Sequence, residues 1–391
     1  MNENEIMKMK MKSIRIQLQR IKTWLVMLLL LAGSMTGFAQ SEYFDYEDPY
    51  YMTIINGLTS EGLAASSLTI PKEVTVVKSG AFRSPSAKVS ALIIEAGGNP
   101  AFEANLFGTC KNSSNEDVPR DDNPLGDIQI LGNSMSVSNI KALFASLGAQ
   151  GALSTVYIEG YSGAWSNIGV TDVLTEKVEV RLPAALVSDQ QFGNAKVSGR
   201  FSLTKDLVTF CGNVTFRDTD NGSNMLFYVA DYRAGDGRLH IQRVSYVKAG
   251  KGVLIHRAKD TSTYADLPRY SGSISSADET LYSSNMLVGV TLPTLIGSTD
   301  GGMTNYILKD GAFHPTSSGT VKANKAYLQI PTSAAREMLS ISLDDEETTG
   351  VAEVRSQIED VRGDVYDLSG RRVARPTKGL YITNGKKYVI R

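Results

Sequence analysis

Three histidines and two cysteines are all that 391 residues offer for imidazole or thiolate ligation. His240, His256 and His314 stand far from one another and from either cysteine. A structural metal centre needs about four such ligands at set intervals, so the spacing predicts none. Isolated histidines in strand-like segments are ordinarily surface or satisfied core residues. Motifs are equally scarce. There is no G-x-S-x-G elbow, and Gly250-Lys251-Gly252 lacks the spacing of a phosphate loop and reads as a turn. Asp218 to Asn224 gathers oxygen ligands as a calcium loop does. Its Gly222 falls one place early, however, and Val229 stands where a bidentate Glu belongs. The segment reads better as a polar hairpin loop between Val214–Phe216 and Met225–Val229. No catalytic, cofactor-binding or metal-binding residue is nominated, no cofactor is expected, and the chain is expected not to be an enzyme. Ligand-contacting residues are left unassigned.

Charge of one sign is also missing. The chain carries 40 basic and 41 acidic residues. That balance gives no electrostatic case for nucleic acid. Cys110 and Cys211, 101 positions apart, are expected to be two buried free thiols, with a disulfide between them as the alternative. The one strong apolar run, Trp24 to Ala32, is far shorter than the roughly 17–25 residues of a membrane-spanning helix. It follows a basic stretch (Lys8, Lys10, Lys12, Arg15, Arg20, Lys22) and precedes Gly37-Phe38-Ala39, with small residues at −3 and −1 of a cut before Gln40. That order is a secretory signal, so residues 1–39 are expected to be removed on export. The remainder holds 34 basic and 39 acidic residues.

What is present after Gln40 is β-rich. Short apolar strands recur as Leu68–Ile70, Ala91–Ile94, Asp127–Ile130, Thr155–Ile158 and Lys177–Val180, 22 to 36 residues apart. Units of that period bury their apolar sides only by stacking on neighbours. One is filled by a helical stretch, Val137 to Leu147, with Ile140, Leu143 and Leu147 on one face. Ahead of the array, Tyr43, Phe44, Tyr46, Tyr50 and Tyr51 are expected to cap its open apolar end, stacking on a sugar or partner being the alternative.

Ile70-Pro71-Lys72-Glu73-Val74-Thr75-Val76-Val77, followed by Ala81-Phe82, resembles the repeat of BspA-like leucine-rich surface proteins. A poorer copy follows as Phe102, Leu106-Phe107 and Cys110. Lys78 and Glu103 stand where that repeat has Gly, and Pro85 replaces its Cys. The resemblance implies inward-pointing Val74 and Val77, and places Phe82 and Phe107 in one aromatic spine.

Near Ser198 the texture changes to short strands every eight to twelve residues: Leu207–Cys211, Met225–Ala230, Leu239–Val247, Gly252–His256 and Ala326–Ile330. Such spacing predicts a β-sandwich-like antiparallel part. Asp310-Gly311 is a hairpin turn between Tyr306–Lys309 and Ala312-Phe313. An acidic linker, residues 344–350, leads to the tail Tyr366-Asp367-Leu368-Ser369-Gly370-Arg371, Lys378-Gly379-Leu380-Tyr381-Ile382 and Asn384-Gly385-Lys386-Lys387-Tyr388-Val389-Ile390. The tail predicts three strands with a tight turn at Asn384-Gly385. It resembles, in shortened form, the C-terminal sorting domain of type IX secretion.

The expected chain is therefore mainly β with minor α. A signal peptide (1–39) precedes an irregular leucine-rich solenoid (40–197), an antiparallel β-sandwich-like part (198–343), the linker and a small β tail (351–391). The family resemblance implies an outer-membrane-associated surface protein that adheres to a host or neighbouring-cell protein or glycan without chemistry. Periplasmic residence is the alternative location. The alternative functions are carbohydrate capture in a surface polysaccharide system and a hydrolase with a non-contiguous site. No nucleic acid and no transmembrane span are expected.

Overall fold

The computed structural model describes residues 41–83, 88–111, 113–119, 125–147, 151–165, 174–203, 205–218, 225–233, 238–257, 264–335, 339–343, 365–367, 373, 379–383 and 386–390. The expected signal, residues 1–39, and the acidic linker lie outside them. The chain is mainly β with few helices and several sheets. Among the described residues no helix is long and apolar enough to cross a membrane.

Six strands run parallel and side by side in chain order: β1 (Ser67–Ile70), β2 (Ala91–Ile94), β3 (Asp127–Ile130), β4 (Thr155–Ile158), β5 (Glu179–Pro183) and β6 (Lys196–Ser202). A strand's side chains alternate between faces, so the register lines up like with like. Leu68, Leu92, Ile128, Val156, Val180 and Val197 form one buried row; Ile70, Ile94, Ile130 and Ile158 form another. Backbone bonds repeat from rung to rung: Ser90 N donates to Ser66 O, Gly126 N to Ser90 O, and Ser154 N to Gly126 O, each at 2.8 Å. The register is thus over-determined by packing and by hydrogen bonds.

The returning chain makes a small sheet of its own. Ile54–Leu58, Val76–Val77 and Ala101–Phe102 pair in parallel, and Phe44–Tyr46 adds antiparallel at the edge. Phe82 and Phe107 are both buried with ring centroids 5.7 Å apart, which is the expected spine. Phe44 extends it, 6.5 Å from Phe82. Helix α1 (Val137–Leu147) forms where its periodicity places it and buries Ile140, Leu143 and Leu147, with Phe144 beside them. The N-terminal aromatics divide between buried and exposed positions. Phe44 is buried and Tyr43 and Tyr46 pack on the core, whereas Tyr50 and Tyr51 stay 89% and 72% exposed.

The second half does not begin a new sheet at Ser198. That residue lies inside β6, and the first sheet continues past it through β13 (Tyr264–Tyr270), β8 (Thr215–Arg217) and β11 (Tyr246–Val247), all antiparallel. A second sheet has the order β7-β12-β9-β10-β18-β16-β15-β17-β14. Its strands are β7 (Leu207–Cys211), β9 (Met225–Arg233), β10 (Arg238–Val244), β12 (Gly252–Arg257), β14 (Leu287–Val290), β15 (Met303–Lys309), β16 (Ala312–Pro315), β17 (Lys325–Pro331) and β18 (Leu339–Leu343). All pair antiparallel except β10 with β18.

Two sequence expectations need correction. Val214–Phe216 and Met225–Val229 are not a hairpin, because β8 belongs to the first sheet and β9 to the second. Most of the loop between them lies outside the described residues. Leu239–Val247 is likewise two strands, split at Ser245 where the chain changes sheets. The Ser245 amide donates to the buried carboxylate of Asp278, 3.3 Å away on α2 (Ser276–Ser283), so the corner loses no hydrogen bond.

The central strands of the second sheet are buried on both faces. Phe227 and Val229 of β9, with Val253 and Ile255 of β12, pack into the core that also holds Phe201 and the ladder rows. Tyr228, Ala230 and Leu254 face a second core with Tyr306, Phe313 and Leu328. That is why Met225–Ala230 reads as an unbroken apolar run without alternation. The sheet folds over on itself at two glycines. A Cβ on Gly252 would stand 2.8 Å from Leu287 O, and one on Gly289 would stand 2.5 Å from Cys211 Sγ. Cys211 is a buried free thiol whose pKa burial pushes up to about 11. The Cys110 side chain lies outside the described residues.

Asp310 and Gly311 both have positive φ, 50° and 81°, and close β15 on β16 as a type I′ turn. In the tail, Val365–Asp367, Gly379–Thr383 and Lys386–Ile390 pair antiparallel as one sheet. The Asn384-Gly385 turn falls outside the described residues, between partners Thr383 and Lys386.

Candidate recognition surface

The outward rows of the ladder carry the chain's most organised polar cluster. Opposite the buried rows, the register aligns Thr69, Ile93, Gln129, Tyr157, Arg181 and Ser198. Beside them run Ser67, Ala91, Asp127, Thr155, Glu179 and Lys196, with a Thr155 to Asp127 side-chain hydrogen bond between adjacent rungs. β13 then brings Asp266 opposite Arg200, and Tyr264 opposite Ser202.

Arg200 is the centre of this face. Its Nε and Nη2 donate to the two oxygens of Asp266 at 2.7 and 2.8 Å, a bidentate pair. Its guanidinium carbon lies 4.3 Å from the ring centroids of both Tyr157 and Tyr264. Only a planar, delocalised cation satisfies a carboxylate and two aromatic rings at once, so Lys is no substitute here. Arg181 joins the network, donating to Glu179 at 2.6 Å and lying 3.4 Å from Asp266. Its buried Nε finds no partner among the described residues.

The electrostatics follow from this crowding. The Asp266 carboxylate holds the Arg200 guanidinium above its ordinary pKa against the effect of burial. Burial pushes Glu179 up, but hydrogen bonds from Arg181 and Ser198 and the charges of Arg181 and Arg200 outweigh it, so Glu179 lies below the usual carboxylate range. Burial, aided by Glu159, raises the Tyr157 phenol. Each acid thus accepts from a guanidinium, and the network carries two positive and two negative charges. It provides a rigid, patterned, neutral face with aromatic edges.

A depressed folded-state pKa stabilises the fold above the unfolded value and loses that contribution as pH falls through the folded one. The melting temperature of the Glu179→Gln variant should therefore fall less steeply than that of the unaltered chain between about pH 5 and pH 3. Parallel melting curves across that window would remove Glu179 from the network.

The residues weighed in the sequence do not converge. His240, His256 and His314 sit on β10, β12 and β16, and the His256 Nδ1 is buried without a partner among the described residues. Among the described residues no group of three or more His, Cys, Asp or Glu is placed to hold a metal ion. Of the calcium-like loop, Asp218 is described, 3.7 Å from Arg243. None of Tyr157, Glu179, Arg181, Arg200, Tyr264 and Asp266 stood out in the sequence. Tyr157 and Glu179 occupy outward positions of recognised strands, and Arg181 lies one residue past the end of the second. Arg200 meets them across the pairing of β5 with β6, and Tyr264 and Asp266 only through the long-range pairing of β6 with β13. Compared with protein families, with curated proteins and with solved structures, the chain matches none.

Proposed function

We propose that this chain is an exported recognition protein of the cell surface, which binds a protein or glycan on the outward face of its parallel ladder and performs no chemistry. On this reading the ladder is a leucine-rich, BspA-like solenoid, and the rest is a β-sandwich-like part with a sorting or anchoring tail. The observation that carries the reading is the Arg200 stack. Two tyrosines, two arginines and two acids are held in fixed positions on the open side of a rigid sheet. Pre-ordered aromatic and guanidinium groups bind with little loss of side-chain entropy.

Size narrows the ligand. Six strands at about 4.8 Å spacing and four residues at about 3.3 Å give a face of roughly 400 Å². A standard protein interface takes about 800 Å² from each partner, so the face suits a short glycan or a protruding loop better than a broad protein surface. The mature chain, residues 40–391, applied to arrays of glycans and of extracellular-matrix proteins should show saturable binding to one class. Hydrolysis of any bound glycan would contradict the reading.

The tail has its own test. Cells making the chain without residues 351–391 should retain it in the periplasm, whereas the full chain reaches the surface. Equal surface exposure of both forms would leave the tail as a structural module.

A further inference from the structure

A second site lies away from the ladder face. A cleft of about 660 Å³ opens between the start of β7, the β15–β16 hairpin and the antiparallel strand pair Thr294–Gly297 and Ser318–Val321. That volume falls within the roughly 300–1,000 Å³ of small-ligand sites. Leu207, Ile296 and Leu308 supply apolar wall, Ser318 a hydroxyl, and Lys205 and Lys325 two ammonium groups. No ring lines the cleft, so nothing there stacks on a sugar.

Charge in the cleft is unbalanced. Asp206 is already held by Arg257 at 2.6 Å, outside the lining, which leaves Asp310 against the two lysines. Neither Lys205 nor Lys325 has an ion-pair partner among the described residues. Lys325 stays solvent-accessible, so its surroundings are those of a cleft and not of a core. Even so, crowding by the protein lowers its pKa, and the neighbouring charge of Lys322 lowers it further. An anion bound there would relieve both effects, and an alkyl chain would cover the apolar wall.

We propose that this cleft binds a small amphipathic carboxylate, its head on Lys325 and its chain along Leu207, Ile296 and Leu308. The site is separate from the ladder face and stands or falls independently of it. Octanoate, octanol and octylammonium are matched probes that differ in head-group charge. Calorimetric titration of the mature chain should show one saturable octanoate site, octanol at least about tenfold weaker, and no octylammonium binding. Lys325→Met should weaken octanoate by about tenfold and leave octanol unchanged. Ser318→Trp, at an exposed wall position, should abolish both by filling the space. Equal affinity for octanoate and octanol, no saturable octanoate heat, or octanoate binding insensitive to both substitutions would each overturn the proposal.

Discussion

Phe201→Ala should destabilise the chain by about 3–5 kcal/mol, the ordinary cost of emptying a buried phenylalanine site. Phe201 is 3% exposed and lies at the end of β6, the last parallel rung. Its ring makes T-shaped contacts with Phe210 at 5.0 Å, Phe216 at 5.2 Å and Phe227 at 5.3 Å. Those partners come from β7, β8 and β9, so one side chain joins the parallel ladder to the antiparallel end of its own sheet and to the second sheet. The neighbouring backbone is fitted just as closely, for a Cβ on Gly199 would fall 2.4 Å from the Phe216 ring. Aromatic pairs add roughly 0.5–1.5 kcal/mol each beyond their buried area, and three are lost together. Calorimetry should therefore show one transition in the unaltered chain, shifted well down in the variant. Two transitions in the unaltered chain, with only the later one moved by Phe201→Ala, would mean that the halves fold separately.

The second large effect is expected at Asp266. Replacing it by Ala leaves Arg200 and Arg181 facing each other without the carboxylate between them. The acid is 14% exposed and Arg200 17%, so water screens the pair only in part. Removing one partner of a buried ion pair costs about 3–5 kcal/mol, because the other charge stays desolvated, and partial exposure places this site at the lower end. Asp266→Asn should cost less, since an amide oxygen still accepts one guanidinium bond. Equal melting temperatures for Asp266→Ala and the unaltered chain, measured in low salt, would show that the network contributes nothing to stability.

Much of the ladder was legible in the sequence for a local reason. Each of the first four rungs is four residues with two inward apolar positions, and Val137 to Leu147 carries a helical stripe, so short-range periodicity suffices to locate them. The Asp310-Gly311 turn was legible in the same way. The junction was not. Lys196–Ser202 includes Gly199 and Arg200, and its inward Phe201 signals nothing without the three rings that surround it. The texture change near Ser198 is real, but it marks the switch from parallel to antiparallel neighbours within one sheet. The site stayed hidden for a related reason. Arg200 and Asp266 are brought together by strand pairing across 66 positions, and no motif spans that distance. Strands β8 and β11 fall within segments read as strands, but segments of two or three residues carry nothing that says which sheet they join.

The most direct measurement of the central claim is the affinity of the surface ligand for a chain altered only at the Arg200 stack. Tyr264 is half-exposed at the rim of the face and packs on the guanidinium without lying in a core. Tyr264→Ala should leave the melting temperature within a few degrees of the unaltered chain. Truncating an aromatic anchor at an interface typically costs 2 kcal/mol or more, so ligand affinity should fall at least about thirtyfold. A matched variant off the ladder, Tyr50→Ala in the exposed segment between Phe44–Tyr46 and Ile54–Leu58, should bind as the unaltered chain does. Undiminished affinity in Tyr264→Ala, or a loss in Tyr50→Ala instead, would contradict recognition through the ladder face.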